Sequence, residues 1–201
     1  MPESARPAPE RIPAVRRTLI VIAATAVLAG CGNEQTPPPD IGRIPAPSAF
    51  RDAKFARDGV FFRAPTNWRV SDGAAQNQVA TVAVGDAQIA VWRYPRTEPL
   101  PETLDQLAAA RDALVAQVKS RDTTFRLKSS RLVMKEGLNA VELVASVTNQ
   151  GRPRRVRSLH AYGQGAEVVI DAFAPPKVFS RVDEQTFGPV ARSLRLRKPG
   201  S

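Results

Sequence analysis

The stretch between residues 124 and 173 constrains this chain most. Segments suited to strands follow one another there, separated only by turn chemistry at Lys135-Glu136-Gly137, Gln150-Gly151 and Gly163-Gln164-Gly165. Residues 139–148 place Val141, Leu143, Ala145 and Val147 on one face. Residues 154–162 return, and 167–173 follow with the apolar run Val168, Val169 and Ile170. Strands joined by turns this short pair antiparallel with their chain neighbours, so the segment predicts a meander.

Upstream, the run Gly-Val-Phe-Phe-Arg-Ala at 59–64 predicts a first strand stopped by Pro65, and Trp68-Arg69-Val70 resumes after a short turn. Residues 78–84 and 87–94 flank Gly85-Asp86 as a hairpin. The segment 95–101 breaks the sheet, and 102–120 predicts a helix with Pro101 in its first turn. Its apolar face is Leu104, Leu107, Ala108, Leu114, Val115 and Val118. After Pro175-Pro176, residues 178–194 predict a closing helix with Phe179, Val182, Phe187, Val190 and Leu194 inward and a kink at Gly188-Pro189. The expected class is α+β: an antiparallel sheet of about six to eight strands with helices packed against it, spanning 54–198.

The first 53 residues follow other rules. Arg16-Arg17 precedes an apolar run at 18–29, which suits a signal h-region and is short for a membrane span. Leu28, Ala29 and Gly30 lead into Cys31 in the pattern of a lipobox, where small residues enter a protease cleft and the thiol takes a diacylglyceryl group. Residues 1–30 are thus expected to be a removed lipoprotein signal peptide. Cys31 would carry covalent lipid, and 31–53 would form a proline-rich tether. Pro37-Pro38-Pro39 favours stiff polyproline II. The expected location is extracytoplasmic, lipid-anchored to the cell membrane or, in a two-membraned cell, to the outer membrane. General secretion and the twin-arginine route both stay open.

The chain of 201 residues carries a formal charge of +10. Residues 1–30 hold four of the 29 basic and two of the 19 acidic residues, so the remainder is still about +8. Outside the cytoplasm such a balance points to anionic envelope components. Nucleic acid is not expected as a partner, because no aromatics interleave with the basic runs and no zinc or ribonucleoprotein motif is present. One cysteine excludes an intramolecular disulfide, and one histidine excludes a Cys/His metal site, so no metal or other cofactor is expected beyond the lipid on Cys31.

The densest charge run is Arg152, Arg154, Arg155 and Arg157. It is a candidate anion-binding patch for headgroups, an envelope polymer or an acidic protein. Its other reading is an exposed edge strand whose charges deter pairing, with Pro153 in keeping. His160 shares a face with Ser158 by period alone, and nothing along the chain sets a nucleophile and a carboxylate beside it, so it reads as structural. Trp68 and Trp92 read as core or hairpin aromatics, and Asp52, Asp58, Asp72 and Asp86 as turn residues without calcium-loop spacing.

The order of elements, Phe61-Phe62-Arg63-Ala64-Pro65-x-x-Trp68 and the later Ala174-Pro175-Pro176, Phe187 and Ser193-Leu194 together resemble the PsbP-like sandwich family, which includes LpqN-type lipoproteins. The resemblance covers about residues 55–197. It implies a non-enzymatic binding or accessory module, here in the cell envelope, and carries over no catalytic residue. The alternative function is a carrier of a small apolar or lipid ligand between sheet and helix.

Overall fold

The structure, a computed structural model, describes residues 44–135 and 138–200; Leu28, Ala29, Gly30 and Cys31 lie outside the described residues. In chain order it contains strands β1 (Phe50–Phe55), β2 (Val60–Pro65), β3 (Arg69–Asp72), β4 (Gln78–Val84) and β5 (Ala87–Pro95), then helix α1 (Leu104–Arg121). Strands β6 (Arg126–Lys135), β7 (Leu138–Asn149), β8 (Arg152–Gly163) and β9 (Ala166–Ala174) follow. Helix α2 (Pro176–Val182), a π-helical turn (Asp183–Phe187), helix α3 (Gly188–Arg192) and the two-residue strand β10 (Arg195–Leu196) close the chain.

Two-residue turns set the registers. Gln150 and Gly151, and again Gln164 and Gly165, have positive φ, as a type I′ hairpin turn requires. They lock Asn149 opposite Arg152 and Gly163 opposite Ala166. The main sheet has seven strands in the order β3-β4-β5-β9-β8-β7-β6, all neighbours antiparallel. A second sheet of three strands, β1-β2-β10, was not expected. Its β1 arises from residues read as the end of the tether and first turn of the domain: Phe50 pairs with Pro65 and Phe55 with Val60.

One face of the large sheet meets the small sheet and the closing helices in a single apolar cluster. Val60, Phe62, Trp68, Ile89, Val91, Val168, Val182 and Val190 are all buried there. The Trp68 and Phe187 rings meet edge to face with centroids 6.2 Å apart. The five inward residues expected of the last helix are buried. The expected kink takes the form of a π turn, in which the Gly188 N–H reaches the Asp183 carbonyl. Pro189, unable to donate and crowding the carbonyl four residues back, accounts for the widened ladder.

Helix α1 departs from expectation at its start and on its face. Thr103 is the N-cap in a capping box with Gln106, so Pro101 lies outside the first turn. Only Leu107 is fully buried; Leu114, Val115 and Val118 are half-buried, and Leu104, expected inward, is 56 % exposed. The helix packs over β6 and β7 and leaves β8, β9 and β5 less covered.

Candidate functional site

Alternation along β8 and β9 places Ser158, His160 and Tyr162 on the α1 face together with Glu167, Asp171 and Phe173. The register sets Ser158 opposite Asp171 and Tyr162 opposite Glu167. A continuous polar chain results. Ser158 Oγ lies 2.5 Å from Asp171 Oδ1 and 3.0 Å from His160 Nε2. His160 Nδ1 lies 2.7 Å from Glu167 Oε1, and the Arg96 guanidinium donates to Glu167 Oε2. Reading His160 as a residue without a nucleophile or carboxylate beside it is thus corrected: it has both. Counting back from the two-residue turn at Gln164-Gly165 would have revealed them, because that turn alone fixes which residues oppose one another.

The two carboxylates are tuned apart. Burial raises Asp171, outweighing the Ser158 hydrogen bond and the His160 charge. Burial also acts to raise Glu167, but hydrogen bonds from His160 and Arg96 prevail and hold it below the usual carboxylate range. Tyr162 is pushed up by burial and by the Glu167 charge. Two proton arrangements satisfy the chain with the same number of protons. In one, neutral Asp171 donates to Ser158, which donates to Nε2. In the other, ionised Asp171 accepts from Ser158, which accepts from Nε2–H. Glu167 accepts from Nδ1 in both.

The chain joins two hollows beside α1. A cavity of about 350 Å³ is lined by Val118, Phe125, Leu143, Ala145, Val156 and Phe173, with Ser158, His160 and Asp171 supplying its polar side. A more open groove of about 500 Å³ is lined by Arg96, Leu100, Leu114, Tyr162 and Glu167, among others. The serine–histidine–carboxylate distances are those of a nucleophile with its base and orienting acid. Oxyanion donors are a different matter. Ser158 sits in a strand flanked on both sides, and its neighbouring backbone amides serve the β7 and β9 ladders.

The four candidate arginines do not come together. Alternation sends Arg152 and Arg154 to one face and Arg155 and Arg157 to the other. Arg154 donates to the Asp86 carbonyl at 3.2 Å and lies 3.5 Å from its carboxylate, with Arg152 at 3.9 Å. Arg157 is held by Asp183 at 2.5 and 2.6 Å and by Glu142 at 2.6 Å; hydrogen bonding to Asp183, chiefly, keeps its guanidinium firmly charged. Arg155 makes no ion pair among the described residues. Nor is β8 an edge strand: from Arg155 onward it is flanked by β7 and β9, and only 152–154 extend beyond β9, where Pro153 is tolerated.

Trp68 is core, whereas Trp92 is half-buried on β5. Asp86 occupies a turn, but Asp52 lies within β1 opposite Arg63. Among the described residues no three His, Cys, Asp or Glu side chains gather to hold a metal, and no helix is long and apolar enough to cross a membrane.

No family model and no curated protein sequence matches the chain. Solved structures do. The cyanobacterial PsbP (CyanoP) of Synechocystis sp. PCC 6803 matches with a TM-score of 0.58 at 18% identity, over 85% of this chain and 99% of that one. LpqN, involved in cell envelope biogenesis of Mycobacterium tuberculosis, matches with 0.52 at 15%, over 74% and 90%. The Saccharomyces cerevisiae Ran-binding protein Mog1p matches with 0.51 at 7%, over 75% and 96%. The fold is PsbP-like, as the residue pattern around Phe61 and Trp68 implied.

Proposed function

We propose that the chain is a membrane-anchored extracytoplasmic lipoprotein whose domain binds a small amphiphilic molecule between α1 and the seven-stranded sheet, without acting on it chemically. The cavity carries this reading. Its volume of about 350 Å³ falls within the range of roughly 300–1,000 Å³ usual for ligand sites. Its walls are mainly apolar, and its few polar groups converge at Ser158, His160 and Asp171, where a headgroup would be oriented. A domain acting only through its outer surface has no use for such a hollow beside a polar chain. Ladder-committed amides around Ser158 favour binding over acyl transfer. The lipobox at Leu28, Ala29 and Gly30 before Cys31 supplies the anchor, and LpqN's involvement in cell envelope biogenesis agrees with an envelope setting.

Native mass spectrometry of the protein released gently from membranes tests this. A bound small molecule is expected on the natural chain and should be absent from Val118→Phe, which fills the cavity from the helix side while leaving the melting transition cooperative. A natural chain that carries no adduct, and takes up none when incubated with membrane lipid extract, would overturn the reading. In the same preparations Cys31→Ser should move the protein to the soluble fraction.

A further inference from the structure

The outward surface of the three-stranded sheet is strongly basic, and residues far apart in the chain build it. Register places Lys54 opposite Phe61 and Phe61 opposite Arg195, with Arg63 opposite Asp52 two residues along. Arg197 lays its guanidinium over the Phe61 ring, 5.1 Å from the centroid, and Arg63 lies 6.0 Å from that of Phe50. Lys54, Arg63, Arg195 and Arg197 are exposed, and none forms an ion pair among the described residues. The shallow hollow between them, about 250 Å³, has Asp52 as its single carboxylate. The segment bearing Arg195 and Arg197 is held tightly. The Arg197 N–H donates to the Gly59 carbonyl at 2.8 Å, and a Cβ on Gly59 would stand only 2.2 Å from the Arg197 carbonyl oxygen.

We propose that this surface docks onto anionic phospholipid headgroups. Lys54, Arg63 and Arg195 on three neighbouring strands, about 5 Å between strands, and Arg197 just beyond the last present a plane of positive charge in which Asp52 is the single carboxylate. Arg197, stacked on Phe61, presents its N–H edge outward, the geometry that suits phosphate oxygens, while Arg63 gives one N–H to the Phe50 carbonyl at 3.2 Å and keeps others for a ligand. The same stacking argues against single-stranded nucleic acid. A base needs an open ring face, and here the arginines themselves cover Phe61 and Phe50. Lys54, Arg63, Arg195 and Arg197 come from the two ends of the domain, and the sheet brings them together. The choice of lipid rests on the membrane-anchored reading above but not on the cavity, so Arg195→Gln/Arg197→Gln should leave the native mass spectrum unchanged.

Co-sedimentation of the unlipidated Cys31→Ser chain with vesicles, in which the anchor contributes nothing, tests the proposal, using phosphatidylcholine alone and phosphatidylcholine mixed with phosphatidylglycerol. Each cation near an anionic surface is worth about fivefold in affinity. Arg195→Gln/Arg197→Gln should therefore weaken binding to the mixed vesicles about 25-fold, flatten its salt dependence and leave binding to phosphatidylcholine alone unchanged. Lys119→Gln/Arg121→Gln removes the same charge from the exposed end of α1 and should change binding less than twofold. Equal losses in the two double variants would show that net charge alone acts, and would overturn the proposal. So would equal binding of the Cys31→Ser chain to both vesicle types, or its displacement from the mixed vesicles by a single-stranded oligonucleotide.

Discussion

The two faces of the seven-stranded sheet are built differently. Against one, α2, the π turn, α3 and the small sheet close one continuous apolar cluster from Ile44 to Leu194. Against the other lies a single helix, and the apolar contacts split into two small clusters, around Leu107, Leu143 and Tyr162 and around Phe125, Ala145 and Val156. The polar chain from Asp171 to Arg96 runs along the second face and touches both hollows. The contrast separates two tasks. A face that supplies most of the buried apolar area lets its opposite keep a void and a row of hydrogen-bonded charges without losing the fold.

The sharpest way to break this contrast is to make the same truncation on each face. Phe187 is 1% exposed in the continuous cluster and Phe125 is 4% exposed beside the cavity. Phe187→Ala should cost about 3–5 kcal/mol in urea unfolding, the usual result of opening a hole in a close-packed core. Phe125 already faces empty space on one side, so it makes fewer contacts to lose, and Phe125→Ala should cost about 2 kcal/mol. Equal losses would mean that the faces do not differ in packing.

Charged groups sharpen the contrast further. On the packed side Arg157 bridges Glu142 and Asp183. Arg157→Met leaves Asp183 without its charged partner and Glu142 with only the exposed Arg131, 3.0 Å away, and should cost about 3 kcal/mol. On the α1 side Glu167→Gln keeps an acceptor for either His160 or Arg96 but loses the charge, and about 2 kcal/mol is expected. Chemical denaturation of both variants at neutral pH gives the comparison. A larger loss for Glu167→Gln would make the polar chain, not the core, the main support of the sheet.

What the sequence made legible follows the same division. Period and turn chemistry located β4 through β9 and the inward residues Phe179, Val182, Phe187, Val190 and Leu194, because each of those signals is local. β1 escaped because its apolar residues Phe50, Ala53 and Phe55 alternate with charges directly after a proline-rich stretch, and only pairing with β2 makes them a strand. The site escaped for a related reason. Ser158, His160, Glu167 and Asp171 each look ordinary singly, and register across a hairpin is what assembles them. The arginine run shows the reverse. Four adjacent charges suggest one patch, yet strand alternation divides them, whereas Lys54, Arg63, Arg195 and Arg197 form one across 143 residues of chain.

The smallest expected effect is also the most specific to the α1 face. Asp171 has its folded-state pKa raised above the ordinary 3.8 by burial. It therefore favours the folded state while protonated. That contribution is complete below about pH 3.8 and is lost as pH rises through the raised folded value. Glu167 has the opposite sign. Its folded pKa is depressed below the ordinary 4.5, burial being outweighed by His160 and Arg96, so its contribution is present above 4.5 and lost as pH falls through the depressed value. Asp171→Asn imitates the protonated carboxyl toward Ser158 and removes only the first limb. Its stability relative to the natural chain should rise steadily as pH increases from near 4, whereas the deficit of Glu167→Gln should shrink as pH falls below that point. Phe187→Ala, on the far side of the sheet, should show a constant offset throughout. Urea midpoints collected from acid to neutral pH distinguish the three. If Asp171→Asn ran parallel to the natural chain, the carboxyl beside Ser158 would be no more strained by ionisation than one in water, and the cavity's polar side would lose its distinguishing property.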